Sequence, residues 1–311
     1  MSLTRWLVRR LLLGVLVVLG AASAAFLALH LIPGDPARVA LGGAVPPSDD
    51  AVERTRHELG LDRPLVTQYA LFLGRLARGS LGDSYQLHQP VGRLIGDQLP
   101  STVELALAGF TVAFLAAALL GIATAGRRPV WRRISATVEL LLTSLPSFWI
   151  GILLLTAFSF QLHLFPAAGD GSPAALVLPA LTLALGMVGV LAQVIRDGLT
   201  RALEQPFALS ARARGTGETA LRVRHAFRHA LVSVTTLAGW VIGALLGGAV
   251  VIETVFSRPG LGRTLATAVE SRDFPVVTGV VIVSGALFTL VNLLVDGLYQ
   301  LIDPRLREAR P

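Results

Sequence analysis

His225 and His229 stand one helical turn apart in "RHAFRHAL", the spacing at which two imidazoles on one helix face can share a metal ion. No third ligand stands beside them, so no metal site is predicted. The chain contains no cysteine, which removes disulfides, thiolate metal sites, iron–sulfur clusters and cysteine nucleophiles together. All 27 of its basic residues are arginine. A P-loop sets a lysine on its phosphates, so nucleotide hydrolysis by an ordinary P-loop would fall to a partner. His30 and His163 lie near the ends of apolar segments without the nucleophile that an intramembrane hydrolase would pair with a base. What the chain does carry is a basic stretch containing Ala and Gly, "FALSARARGTGETALRVRHAFRHAL" at 207–231, set between long apolar runs.

Those runs define the surroundings. Hydrophobic residues make up 53% of the chain and charged residues 15%, with a mean hydropathy of +0.66. A soluble domain carries about 25% charged residues, so the composition is that of a membrane protein. About 20 mainly apolar residues cross a bilayer core, and six segments qualify: 7–32, 102–126, 134–164, 174–195, 231–256 and 275–302. The third and fourth contain Pro146 and Pro179, which spanning helices tolerate when neighbours satisfy the freed backbone groups. The expected fold is all-α and polytopic. It divides into an N-terminus with first span (1–32), an external helical segment (33–101), and a five-helix core (102–311) that includes a cytoplasmic loop at 196–230.

Arginine placement orients the spans. Arg5, Arg9, Arg10, Arg127, Arg128, Arg132, Arg133, Arg196, Arg201, Arg212, Arg214, Arg222, Arg224, Arg228, Arg305, Arg307 and Arg310 fall on one side. The short connections of the other side hold only Arg258, Arg263 and Arg272. Both termini are therefore expected in the cytoplasm, and the net charge of +7 reads as topological bias rather than a nucleic-acid footprint. The N-terminal "RRLLLGVLVVLGAASAAF" has the flank and small residues of a cleavable signal peptide. The apolar run continues through Leu27, Leu29, Leu31 and Ile32, as in an uncleaved span. In the external segment, Ser48 or Asp49 is placed to cap a short helix, and "PLVTQYALFLGRLARGSLG" forms a second. Such a subdomain either docks a soluble partner or caps the bundle.

Several dispersed motifs then coincide in order and spacing: "LIPGDPA", "ELGLDRPLVTQY", "RGSLGDSY", "SLPSFWIG", "LPALTLAL", "ARARG", "RHAFRHAL", "ETVFSRPGLGRTL", "RDFPVV" and "NLLVDGLYQLIDPRLR". Over nearly its whole length the chain resembles the first permease subunit of bacterial dipeptide, oligopeptide and nickel ABC importers. The resemblance implies no catalysis and no cofactor in this chain. ATP and Mg would act on two partner ATP-binding subunits, a second homologous permease would complete the pathway, and an external binding protein would deliver the solute at the bacterial inner membrane. It also identifies the basic stretch as the family's coupling loop, the EAA motif. Setting the family Gly on Gly215 puts Glu-Ala-Ala on Leu209, Ser210 and Ala211, so the Glu is missing here. Ala211 and Ala213 would allow close approach to the ATPase, Arg212 and Arg214 would meet acidic groups or lipid headgroups, and Gly215 would supply the turn between helices. His229 replaces the usual Asn, and Ser233 stands where a Pro is usual.

Within the spans, Ser144, Pro146 and Ser147 break the third and are candidates to line the pathway. Gly239, Gly243 and Gly247 form a small-residue stripe on the fifth, for static packing or for movement. Asn292 and Asp296 lie one turn apart on the sixth; Asp296, near the cytoplasmic end, reaches interfacial water or an arginine such as Arg305. The leading expectation is a peptide-importing permease subunit. The alternatives are nickel or metal-chelate import by the same architecture, and a secondary transporter working alone. The last would require acids near the midplane, whereas Glu104, Glu139 and Glu253 lie near the ends of spans.

Overall fold

A computed structural model describes residues 3–31, 35–41, 48–58, 60–126 and 129–302. The described residues are helical apart from turns and a single antiparallel bridge between Asp83 and Pro90. In order the helices are α1 (Leu3–Leu31), α2 (Pro36–Leu41), α3 (Asp49–Glu58), α4 (Leu65–Ala77), α5 (Val91–Thr124), α6 (Pro129–Ser144), α7 (Ser147–Leu154), α8 (Pro173–Leu203), α9 (Pro206–Ala213), α10 (Glu218–Ala220), α11 (Phe227–Thr236), α12 (Ala238–Val255), α13 (Leu261–Glu270) and α14 (Phe274–Ile302). Wide π-helical turns extend α7 through Leu155–Gln161 and join α10 to α11 through Leu221–Ala226.

Four helices are long and apolar enough to cross a bilayer, with windows at Val8–Ala28, Val91–Thr124, Pro173–Leu203 and Phe274–Gly297. A fifth span forms if the pair Val130–Ser144 and Ser147–Gln161, bent by 98°, counts as one. The bend falls at Pro146, whose extended backbone (φ −60°, ψ 135°) starts α7, because a proline cannot continue the preceding helical ladder. The fifth expected segment, 231–256, differs. It is two helices meeting at Leu237 (φ −88°, ψ 0°), and its apolar helical part among the described residues is Gly243–Val255. The second segment starts earlier than its hydropathy indicates: α5 begins at Val91 and runs on through Pro100.

The chain divides into two compact units. The first is built on Ser101–Arg258 with Leu290–Pro311. Its centre is α8, whose buried face includes Leu191, Ile195 and Leu199. Close approach is achieved through glycine: a Cβ on Gly189 would come within 2.7 Å of the Glu139 carbonyl oxygen of α6, and one on Gly198 within 2.8 Å of Ala230 Cα of α11. The second unit is built on Ser2–Pro100 with Pro259–Thr289. There Val91 and Ile95 pack with Leu261, Ala268, Val276 and Val280. Buried Asp273 ties down the turn before α5 by accepting from the Ser84 hydroxyl and from the amides of Tyr85 and Gln86. Ser48 caps α3, accepting at Oγ from Ala51 N at 3.3 Å.

Candidate functional site

The basic stretch opens with a short helix, α9, packed against its own bundle. Gln205 is extended (φ −74°, ψ 153°) and Pro206 takes the first helical position of α9, where its missing N–H costs nothing. At the far end Gly215 turns left-handed at φ +81°. Its amide donates to Arg212 O at 2.9 Å, and that of Thr216 donates to Ala211 O at 3.1 Å. This paired closure is the Schellman motif, which favours glycine because a Cβ would be strained at that φ.

Two residues of α9 face inward. Ala208 and Ala211 are buried in a cluster with Leu199, Leu203, Leu221 and Ala230. The close approach of Ala211 is therefore made to its own helices. Leu209, Ser210, Arg212, Ala213, Arg214 and Gly215 are exposed, and Leu209 retains 71% of its accessible surface. Burying that side chain against another surface would be favourable. Arg212 is braced: Nε donates to Glu218 Oε1 at 2.6 Å and Nη1 to Leu203 O at 3.4 Å. The hydrogen bond to Glu218 raises its already high pKa, so the guanidinium stays charged. His229, on α11, stacks on Phe207 with ring centroids 5.0 Å apart, and Ser233 Oγ accepts from Arg201 at 3.4 Å. His225 is exposed. No group of three His, Cys, Asp or Glu suited to a metal occurs among the described residues.

The remaining candidates are dispersed. Ser144 and Pro146 are exposed and Ser147 half-buried at the bend, with the Ser144 hydroxyl donating back to Leu140 O at 2.7 Å. A Cβ added to Gly243 or Gly247 would meet nothing within 4 Å; Gly239 lies in α12, but its surroundings fall outside the described residues. Gly248 is the tight one: a Cβ there would meet Leu183 Cδ1 at 2.8 Å. Asn292 and Asp296 are half-buried on α14, and Arg305 falls outside the described residues.

Sequence reasoning missed the buried polar groups of the first unit. Arg196 of α8 grips Glu139 of α6 with both ends of its fork, Nη1 to Oε1 at 2.6 Å and Nη2 to Oε2 at 2.8 Å. Ser135 Oγ donates to the same carboxylate at 2.5 Å, and both side chains are under 8% exposed. The 3.6-residue period sets Ser135 and Glu139 on one face of α6, a usable signal, but nothing local names Arg196 as their partner. Thr102 Oγ1 likewise donates to fully buried Glu253 at 2.6 Å.

A chain with bilayer-length helices and a braced helix outside them suits a membrane carrier component. Its matches agree. Residues 94–308 match the family model described as binding-protein-dependent transport system inner membrane component, and residues 3–106 match the N-terminal model of such components. The chain belongs to this family. It is 40% identical over 98% of its length, and 99% of the relative's, to a Brucella abortus (strain 2308) protein provisionally named a peptide transport system permease protein. It is 39% identical, over 91% of this chain and 92% of the relative, to the glutathione transport system permease protein GsiC of Pectobacterium atrosepticum. The GsiC protein of Salmonella choleraesuis is 36% identical over 97% of this chain. The protein is thus a multi-pass inner-membrane permease subunit of an ABC importer.

Proposed function

We propose that this permease forms half of a pathway for small peptides, glutathione-like peptides included, and that α9 is its coupling helix. Six spans would place both termini in the cytoplasm. The second homologous permease would supply the other half, two ATP-binding subunits would bind ATP and Mg, and an external binding protein would deliver the solute. The names of the relatives favour peptides over nickel or metal chelates, and the family argues against a transporter working alone. Ser144, Pro146 and Ser147, the Gly239, Gly243 and Gly247 stripe, and Asn292 with Asp296 remain candidates for the path or for packing against the other permease.

The observation that carries the coupling assignment is the exposure of Leu209 on a helix held rigid from behind. Ala208 and Ala211 anchor its inner face, and Glu218 fixes Arg212, so a push on α9 would pass to α8 and α11 rather than dissipate in a loop. Leu209→Glu changes only an exposed side chain, and Gly215→Trp disturbs the closing turn. Both are compared with wild type by affinity capture from native membrane in mild detergent, with mass spectrometry of the retained chains. Wild type should retain a P-loop ATPase and a second permease, and both variants should lose the ATPase while keeping the permease. Full ATPase retention by both variants would remove α9 from the coupling role.

A further inference from the structure

The second unit contains a cavity of about 810 Å³ that plays no part in the reading above. Its walls include Phe26 at the end of α1, Phe72 and Arg75 on α4, Tyr85 in the turn before α5, and Ile282 on α14. Two of these walls come from the apolar windows of long helices. Phe26 falls inside Val8–Ala28 and Ile282 inside Phe274–Gly297, whereas Arg75 and Tyr85 belong to neither. The cavity therefore joins apolar side chains from two bilayer-length windows to cationic side chains that lie outside those windows. Arg75 and Tyr85 both line the cavity; burial pushes the Tyr85 phenol up, the charge of Arg75 opposes that shift, and the Asp273 carboxylate adds to it. Arg63 and Arg78 add positive charge to the lining, while Glu58 and Asp83 offset part of it.

We propose that this cavity holds a phospholipid, its phosphate on Arg75 beside the Tyr85 hydroxyl and its upper acyl carbons on Phe26, Phe72 and Ile282. The volume is that of a small-ligand site and accommodates a headgroup, the glycerol and the first chain carbons, with the remainder running into the bilayer. Arginine suits the phosphate because its planar fork donates to two oxygens at once. Small water-soluble anions gain nothing from the apolar half of the cavity. A lipid seated here would link α1, α4 and the first turns of α14, all within one unit.

Native mass spectrometry of the importer purified in mild detergent would count the phospholipid retained, in wild type, Arg75→Glu, Leu71→Glu and Arg93→Glu. Leu71 lines the cavity and is 45% exposed, so a carboxylate there spoils the tail site without threatening the fold. Arg93 is exposed and outside the cavity, and serves as the charge control. Loss of one charge-assisted contact should cut occupancy about tenfold in Arg75→Glu. Leu71→Glu should fall as well, Arg93→Glu should match wild type, and added phosphatidylethanolamine should refill wild type and Arg93→Glu alone. Equal retention in Arg75→Glu and Arg93→Glu would overturn the proposal. So would displacement of the wild-type lipid by millimolar inorganic phosphate, which marks a free-anion site, or by a dipeptide, which marks a solute site.

Discussion

Removing the carboxylate of Glu139 tests how the central helix is held. Arg196 is 7% exposed and Glu139 6% at the side chain, and both fork contacts are shorter than 2.9 Å. In Glu139→Ala the guanidinium keeps its buried position and loses its counter-charge, leaving only Ser135 Oγ at 3.4 Å. Breaking a buried pair by deleting one partner costs about 3–5 kcal/mol, whereas replacing both by apolar groups of similar size is often neutral or stabilising. Alanine is the best helix former, so the backbone of α6 does not confound the result. Glu139→Ala should therefore lose about 3–5 kcal/mol, and Glu139→Met with Arg196→Met should recover most of it. The readout is reversible unfolding by SDS in mixed micelles, followed by tryptophan fluorescence, since Trp131 and Trp149 lie on α6 and α7. A loss under about 1 kcal/mol for Glu139→Ala, or a double variant no better than the sum of the singles, would refute a buried and mutually dependent pair.

Two further outcomes follow from close geometry. Gly198→Ala should cost about 1–3 kcal/mol, because its Cβ meets backbone of α11 at 2.8 Å and overpacking forces the helices apart; Gly243→Ala, with nothing within 4 Å, should leave the same unfolding curve unchanged. In the second unit, burial pushes the Asp35 carboxyl up, but its hydrogen bonds from Arg56 and the Ala37 amide and the charges of Arg56 and Arg38 hold it below its ordinary 3.8. A lowered folded pKa gives stability that is complete above the ordinary value and lost as pH falls through the lowered one. The absence of native cysteine allows spin labels at Leu41 and Arg54 alone. Their distance distribution should stay sharp at neutral pH and broaden below about pH 4, whereas Asp35→Asn should be broad throughout.

How far the sequence reached depended on whether the signal was local. The long apolar runs became α1, α8 and α14, Pro146 bent the third segment, and Ser48 capped α3, each because one residue type or one run decides the outcome. The break at Leu237 was invisible, since "TTLAGW" contains no proline and its hydropathy continues unbroken. The start of α5 at Val91 was also hidden. Its first turns alternate buried Val91 and Ile95 with exposed polar residues, a pattern for lying against other helices rather than crossing a bilayer. The same amphipathic logic concealed α13 within what reads as a short connection.

In the candidate site the division is the same. Gly215 could be read as a turn from its type, and φ is +81°. Which residues of α9 look outward could not be read, because alanine is equally at home on either face. The expected approach of Ala211 and Ala213 to a partner divides between them: Ala211, with Ala208, is buried against the protein's own bundle, while Ala213 is exposed, as is the large apolar residue Leu209. That exchange has a mechanical reason. Small residues beneath a helix let it sit close to α8 and α11, and closeness makes the brace stiff; a large apolar residue above it gives another surface something to bury. The polar pairs of this unit are remote in sequence: Arg196 meets Glu139 from 57 residues away, and Thr102 meets Glu253 from 151. Single-sequence periodicity contains no such information. The charge that sequence reasoning assigned to topology at Arg196 is spent inside the fold, where it holds α8, the helix leading directly into α9.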